Sequence, residues 1–475
     1  MNRTLLLVSA AGLLALGALL VGKPSPPPPP PVTDTSHTVA RPDEPDATVT
    51  LPLVTSTPSG GALTLTGKLS GAYVQTGTSE VFAWLELKAH PAEAGRRVPV
   101  NLALVIDRSG SMSGQKLADA KRAATELVNR LTSEDRLAFV DYGTDVKTLP
   151  SRPVTEEVRS ELLLAIANLR DDGSTNTSGG LTEAARALRP HLRDFRVSRA
   201  ILLSDGQPTT GMVREPELYA LVRGMRDEGI TVSALGVGGD FNEALMRGMA
   251  EQGGGFSGFI DDSAKLAEVF SRELDQATST VARRVELELR LPAEIQAVEV
   301  MGLPATREGQ LVKVPLYDLA GDQSVRVVAK LTLATGAAGG VLQVLDARVR
   351  YVDVGRDAAA DTGLKLAAAV TADAAVVRAN LDRDVRVHAT RALGTQHMLA
   401  AAEEMKRGNR QAARGLLDNA RRIFGTSASA LSGELAELDQ TEAAYGSASD
   451  EAEVRRESRN LYKKTMKNFG TNNAY

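Results

Sequence analysis

The spacing of apolar positions changes along the chain, and each change marks a predicted region. Residues 62–97 contain two stretches in which apolar and polar side chains alternate, so two β-strands are predicted there. From residue 98, continuous apolar runs such as Val98 to Ile106 alternate with stretches of helical spacing such as Gln115 to Leu131. This alternation predicts an α/β domain over 98–280 whose sheet is Rossmann-like, doubly wound and mostly parallel.

Beyond this domain the period of two returns. Residues 281–355 are predicted to form antiparallel strands, which we interpret as one β-sandwich shared with 62–97 and interrupted by the α/β domain. Two consecutive β modules are the alternative. Residues 356–381 are interpreted as a linker, 382–445 as a helical hairpin or bundle, and 446–475 as a charged tail.

The N-terminal part has a composition of its own. Residues Leu5 to Val21 are apolar except for one Ser and follow Arg3, so 1–21 is predicted to be an export signal, either cleaved or kept as a membrane anchor. Residues 22–61 are rich in proline and include the unbroken run Pro26 to Pro31. Such a segment cannot form a packed core, and it predicts a disordered stalk. The expected location is therefore the periplasm or cell surface, with membrane contact only through the N-terminal segment.

The charge balance and the absence of Cys limit the partners and the kinds of site that this chain can have. The 55 Lys and Arg against 59 Asp and Glu give a net charge of −4, which argues against a nucleic-acid partner. The chain has no Cys, so disulfides, thiolate metal sites and thiol nucleophiles are excluded. Any metal site must therefore use oxygen or histidine ligands.

Oxygen-bearing side chains are concentrated at the predicted strand ends. The first buried strand ends in Asp107-Arg108-Ser109-Gly110-Ser111, directly before a helix. Gly173-Ser174-Thr175-Asn176 precedes another helix, and Asp205 follows a third apolar strand. Ligands of open α/β sheets bind beside the carboxyl ends of the strands, and hydroxyl and carboxylate oxygens suit Mg²⁺, or another hard cation such as Mn²⁺ or Ca²⁺.

These residues resemble the von Willebrand factor type A family, whose metal-ion-dependent adhesion site contains Asp-x-Ser-x-Ser followed by a Thr and an Asp. The resemblance runs from about Val98 to Ala277 and includes exported bacterial members. It implies a non-enzymatic protein whose bound cation is completed by a carboxylate of a protein partner. It also implies a single metal ion, because Gly114 and Gln115 stand where integrin β chains hold further acidic ligands. The implied ligands are Asp107, Ser109, Ser111, Thr175 and Asp205.

Two other functions stay open at this point. Some type A proteins are accessory subunits of ATPase-driven assembly or chelatase-type complexes. A serine acyl-enzyme of the penicillin-binding type is a remote alternative, because Ser113 and Lys116 fit its Ser-x-x-Lys element and Ser174 and Asn176 fit its Ser-x-Asn element. The third element, Lys-Thr-Gly or Lys-Ser-Gly, does not occur in the sequence.

Overall fold

The computed structural model describes residues 54–57, 60–92, 97–205, 207–238, 242–260 and 262–470. The predicted export signal and most of the predicted stalk lie outside these residues. Within the described part of the chain, no helix combines the length and the apolar character that crossing a membrane requires.

The α/β domain is built on one six-stranded sheet, in the order β10-β9-β8-β5-β6-β7. All neighbouring pairs are parallel except β6 and β7. Every residue of β5, β8 and β9 is buried, because helices cover both faces of the sheet. The strands are β5 (Val100–Asp107), β6 (Arg136–Tyr142), β7 (Val146–Pro153), β8 (Val197–Ser204), β9 (Ile230–Val237) and β10 (Gly254–Ile260).

Helices flank this sheet, six of them within the described residues, and capping residues fix several of their ends. Thr155 caps α2 by accepting a hydrogen bond from the amide of Val158, and Gly229 ends α4 in the left-handed conformation, with φ of 103°. The helices are α1 (Gln115–Arg130), α2 (Glu156–Ala167), α3 (Thr177–Leu188), α4 (Glu215–Glu228), α5 (Glu243–Gly253) and α6 (Leu266–Thr278).

The flanking strands form two sheets that enclose one hydrophobic core; their pairs are antiparallel except that β3 runs parallel to β18. That core combines residues from before the α/β domain, such as Leu85, with residues after it, such as Val327 and Leu366. One sheet runs β1-β18-β17-β11-β14-β13, with β3 beside β18 and β15 beside β11, and the other runs β12-β16-β4-β2. The strands are β1 (Val54–Thr57), β2 (Leu63–Leu69), β3 (Tyr73–Gln75), β4 (Gly77–Ala89), β11 (Thr280–Arg290), β12 (Ile295–Val300), β13 (Thr306–Glu308), β14 (Leu311–Pro315), β15 (Leu319–Ala320), β16 (Ser324–Thr335), β17 (Val341–Asp353) and β18 (Ala358–Thr371).

The C-terminal part is helical, and its last four helices, α8 to α11, are called the bundle below. The bundle packs on the sandwich, where Ala389 of α8 and Phe469 of α11 share a cluster with Val328 of β16. The helices are α7 (Ala374–Ala379), α8 (Arg383–Lys406), α9 (Arg410–Gly425), α10 (Ser432–Ser447) and α11 (Glu451–Phe469).

Three sequence predictions about boundaries are wrong. The linker at 356–381 is largely strand β18, which pairs with β17 along its length; its apolar positions are mostly alanines, a weak strand signal. The tail at 446–475 contains α11, whose Leu461 and Phe469 are buried. The stalk ends before residue 61, because the β-branched residues of β1 pair with β18.

Candidate functional site

The two acidic residues of the candidate site lie at the ends of neighbouring strands. Asp107 is the last residue of β5, and Asp205 directly follows Ser204, the last residue of β8. These strands pair in parallel, with Ile106 opposite Leu203. The carboxyl end of the sheet therefore holds both carboxylates at one edge, which we call the metal edge.

Asp107 is fully buried and held on both carboxylate oxygens. Its Oδ1 accepts a hydrogen bond of 2.8 Å from the amide of Ser109, and its Oδ2 accepts one of 2.6 Å from the hydroxyl of Ser204. Burial raises the pKa of the Asp107 carboxyl, these two hydrogen bonds oppose that rise, and the charge of nearby Asp205 adds to it. Asp107 is thus a carboxylate held in an environment that leaves its negative charge poorly compensated.

Ser109, Ser111 and Asp205 form a continuous row of oxygen atoms. The hydroxyls of Ser109 and Ser111 lie 3.2 Å apart, and the Ser111 hydroxyl donates a 2.6 Å hydrogen bond to Oδ1 of Asp205. Neighbouring ligands of an octahedral Mg²⁺ ion are separated by about 3.0 Å, given Mg–O distances of about 2.1 Å. The row therefore has the oxygen spacing of one side of a magnesium coordination shell.

Thr175 reaches this edge through its loop. It is buried, its amide donates a 2.9 Å hydrogen bond to the hydroxyl of Thr209, and its carbonyl accepts one of 3.0 Å from the Thr209 amide. The amide of Gly110 donates to the carbonyl of Gly173 at 3.2 Å, which joins the two loops. Within the described residues, Thr175 shares no hydrogen bond with the other four predicted ligands, so its place at the site depends on this backbone connection.

Arg108 connects the loops of the metal edge through hydrogen bonds. The sequence analysis did not identify it as a functional residue. Its buried guanidinium donates to Oδ1 of Asp141 at 2.6 Å, to Oδ1 of Asp145 at 2.5 Å and to the carbonyl of Asp172 at 3.4 Å. The available signal was a basic residue between two ligand positions, together with one acidic residue near the end of the next strand and another just after it. Arg108 is committed to these partners and does not compensate the charge of Asp107 or Asp205.

Lys116, the second residue of α1, is also part of the site. Its ammonium group forms an ion pair with Oδ2 of Asp205 and donates a 3.2 Å hydrogen bond to the carbonyl of Ser111. The serine acyl-enzyme alternative requires this lysine to activate Ser113. The structure instead assigns it to Asp205, which removes the main support for that alternative.

The other element of that alternative has a structural role. Asn176 caps α3, accepting a 3.0 Å hydrogen bond from the amide of Gly179. The amide of Ser174 donates to the hydroxyl of Thr144 at 2.9 Å, which holds the loop in place. Both residues thereby help to position Thr175 between them.

Gly114 and Gln115, the two positions at which the sequence predicts no further metal ligand, have structural roles. Gly114 precedes α1 with φ of 72°, a conformation that favours glycine. Gln115 donates a 2.9 Å hydrogen bond to Oδ1 of Asp119 in the next turn of α1. Neither residue provides a carboxylate, and the single ion stays a prediction.

The donor set fits a hard divalent cation. It consists of carboxylate and hydroxyl oxygens only, and Lys116 offsets just one of the two formal negative charges. Mg²⁺ prefers such oxygen donors and commonly retains water or a substrate oxygen in its remaining positions. The residues able to hold the ion are Asp107, Ser109, Ser111, Thr175 and Asp205.

Comparison with known proteins identifies the domain that carries this site. Residues 101–272 match the model of the von Willebrand factor type A domain. YfbK of Escherichia coli is 31% identical over 206 residues, covering 42% of this chain and 36% of that protein. Synechocystis sll0103 is 29% identical over 273 residues, covering 54% and 62%, and human inter-alpha-trypsin inhibitor heavy chain H3 is 28% identical over 198 residues, covering 40% and 22%.

Two solved structures share the fold over most of the chain. A von Willebrand factor type A protein from Catenulispora acidiphila aligns with a TM-score of 0.67 at 18% identity, over 86% of this chain and 98% of that one. The ArnB paralog VWA2 from Sulfolobus acidocaldarius aligns with a TM-score of 0.58 at 18% identity, over 84% and 98%. These similarities confirm the predicted resemblance for the α/β domain. The chain spans less than two thirds of the length of the sequence relatives named above.

Proposed function

We propose that this protein, which carries a type A domain, is a non-enzymatic binding protein that holds one divalent cation, Mg²⁺ by preference, at the metal edge. Domains of this type are generally interaction modules without catalytic activity, and they commonly bind a divalent metal. The single observation that carries the proposal is the row of oxygens from Ser109 through Ser111 to Asp205, at the ends of two adjacent strands.

The second part of the proposal concerns the partner. Five ligands from the chain leave one octahedral position, and a carboxylate is the strongest oxygen donor that a protein partner offers to Mg²⁺. We infer that an acidic side chain of a partner protein completes the ion. The bound cation supplies the positive charge for this contact. The ligands of the chain fix the position of the cation.

Isothermal titration with Mg²⁺ tests the cation site. Asp107→Ala and Asp205→Ala should each weaken the affinity by more than tenfold. Their metal-free thermal midpoints should not fall sharply, because each change removes one of two neighbouring negative charges. Asp171→Ala, which removes an exposed carboxylate from the loop that leads to Thr175 but outside the donor set, is the matched control. Unchanged affinity in the two site variants would contradict the assignment.

The proposed location follows from the sequence. The apolar stretch at 1–21 supports export, and the domain that follows would then face the periplasm or the cell surface. Protease added to spheroplasts should digest the full-length protein, and a variant beginning at residue 52 should remain in the cytoplasm. A full-length chain that resists protease, while a periplasmic control is cut, would refute this topology.

A further inference from the structure

Lys116 occupies an unusual position for a lysine beside a cation site. It forms its ion pair with Asp205, whose side chain is fully buried, whereas the lysine side chain is 30% exposed. Its second contact is the backbone carbonyl of Ser111, the residue whose hydroxyl donates to the same carboxylate. The ammonium group therefore lies directly beside the oxygens that are proposed to hold the metal.

The charges around Asp107 and Asp205 make this contact important. Among the described residues, Lys116 is the one cationic side chain that pairs with either carboxylate. Arg108, the nearest alternative in sequence, is committed to Asp141 and Asp145. Without a metal ion, Lys116 thus provides the compensation that a buried carboxylate requires.

The neighbouring loop leaves room for this lysine. A β-carbon at Gly238, which follows β9, would lie 2.8 Å from Cε and 3.1 Å from Nζ of Lys116. The glycine also has φ of 86°, and its amide donates a 2.9 Å hydrogen bond to the carbonyl of Ile260. The position of the ammonium group is therefore defined by four segments of the chain: α1, the loop after β5, the loop after β8 and the turn after β9.

We propose that Lys116 is a built-in counter-ion of the cation site and that a divalent cation binds in competition with it. This inference rests on the proposed function. A doubly charged ion ligated by Asp205 repels an ammonium group only a few ångströms away. The lysine stem is flexible and partly exposed, so the ammonium group can move into solvent when the metal enters. Lys116 keeps the metal-free edge compensated and lowers the affinity for the metal.

Lys116→Met tests the competition, because it removes the charge and keeps most of the apolar stem. The variant should bind Mg²⁺ at least tenfold more tightly by isothermal titration at low ionic strength, and added NaCl should reduce that difference by screening. Its thermal midpoint in EDTA should be lower than that of the unmodified protein, and its rise on addition of Mg²⁺ should be larger.

Lys121→Met is the matched control, because Lys121 lies on the same helix and its ammonium group donates a 3.0 Å hydrogen bond to the carbonyl of Ala167, outside the donor set. If the unmodified protein binds Mg²⁺ and Lys116→Met binds it equally or more weakly, Lys116 positions Asp205 and the competition is refuted. If neither protein binds Mg²⁺, the proposed function itself fails. The two failures are therefore distinguishable.

Discussion

Two clusters that lie at opposite ends of β8 each contain two carboxylates and one cationic side chain, in opposite settings. At the metal edge, Asp107 and Asp205 share the partly exposed Lys116. About 20 Å away along β8, at ~3.3 Å per residue, Arg199 lies between Glu273 of α6 and Asp318 of the β14–β15 connection. We call this second group the junction cluster, because Asp318 belongs to the sandwich and the other two belong to the α/β domain.

The junction cluster is sealed from solvent. Arg199 and Glu273 are 1% and 0% exposed, their nearest atoms are 3.2 Å apart, and Ser233 donates a 2.7 Å hydrogen bond to the same oxygen of Glu273. Thr231 donates to Asp318 at 2.5 Å. A guanidinium ion is permanently charged and offers five donors in a fixed plane, so it suits a fixed buried contact.

The comparison shows how the choice of cation separates structure from function. The junction uses an arginine. If its guanidinium moved away, the two buried carboxylates would lose the positive charge that compensates them. The metal edge uses a lysine on a flexible stem beside solvent, which in our proposal a divalent cation displaces. Acidic residues thus serve cohesion at one end of β8 and, in our proposal, binding at the other.

Removing the junction cation should have the largest effect. Arg199→Met removes the guanidinium that pairs with the buried Glu273, and breaking a buried ion pair typically costs about 3–5 kcal/mol. Urea unfolding followed by the fluorescence of Trp84, the single tryptophan, measures this loss. Arg272→Met is the control: it breaks an exposed pair with Glu268 and should cost less than about 1 kcal/mol.

A double variant distinguishes the charge effect from lost packing. Arg199→Met with Glu273→Met replaces the pair by apolar side chains and should recover much of the stability lost in the single variant. If Arg199→Met is no less stable than the Arg272→Met control, the junction is not the fixed contact described above, and the contrast with the metal edge would no longer hold.

The two clusters also differ in how far the sequence predicted them. The residues of the metal edge were found because each follows an apolar strand or precedes a helix, so their positions share a local pattern. Arg199, Glu273 and Asp318 lie in three separate elements, and nothing near them in sequence indicates that they meet.

Strand β18 was missed for a different reason: alanines give a weak strand pattern, and its pairing with β17 decides its conformation.

A smaller effect is expected at His388, which lies in the contact between the bundle and the sandwich. Burial there disfavours the protonated, charged form of the imidazole. Its ring stacks on Trp84 with centroids 5.5 Å apart. Burial, together with the charges of Arg326 and Arg391, lowers the pKa of His388 to about 4. The unfolded chain, with a histidine pKa near 6.5, then binds a proton that the folded protein does not accept, so stability falls as the pH drops from about 6.5 towards 4.

His388→Gln should therefore lose less stability on acidification than the unmodified protein. Because the ring is only half-buried, we expect a difference of about 2 °C in the fall of the thermal midpoint between pH 7.5 and pH 5. His90→Gln, at an exposed position, serves as control and should follow the unmodified protein. Equal pH dependence in all three proteins would show that His388 does not oppose protonation in the fold.

The smallest expected effect is the response of α6 to metal. This helix is anchored at its end: the amide of Val98 donates to the carbonyl of Thr278 at 2.9 Å, and only Ser279 separates α6 from β11. Within the helix, Glu273 holds it to Arg199 in the junction cluster. Displacing α6 would break that buried pair, which costs more than a contact at the metal edge is expected to supply.

We therefore predict that the domain binds metal in one fixed state. In hydrogen exchange followed by mass spectrometry, Mg²⁺ should slow exchange in the loop at 108–114, and peptides from 266–278 should exchange no faster than in EDTA. Arg199→Met is the positive control, because releasing Glu273 should speed exchange in α6 even without metal. Faster exchange in α6 on addition of Mg²⁺ to the unmodified protein would mean that the two ends of β8 are coupled, and that the junction cluster yields to events at the metal edge.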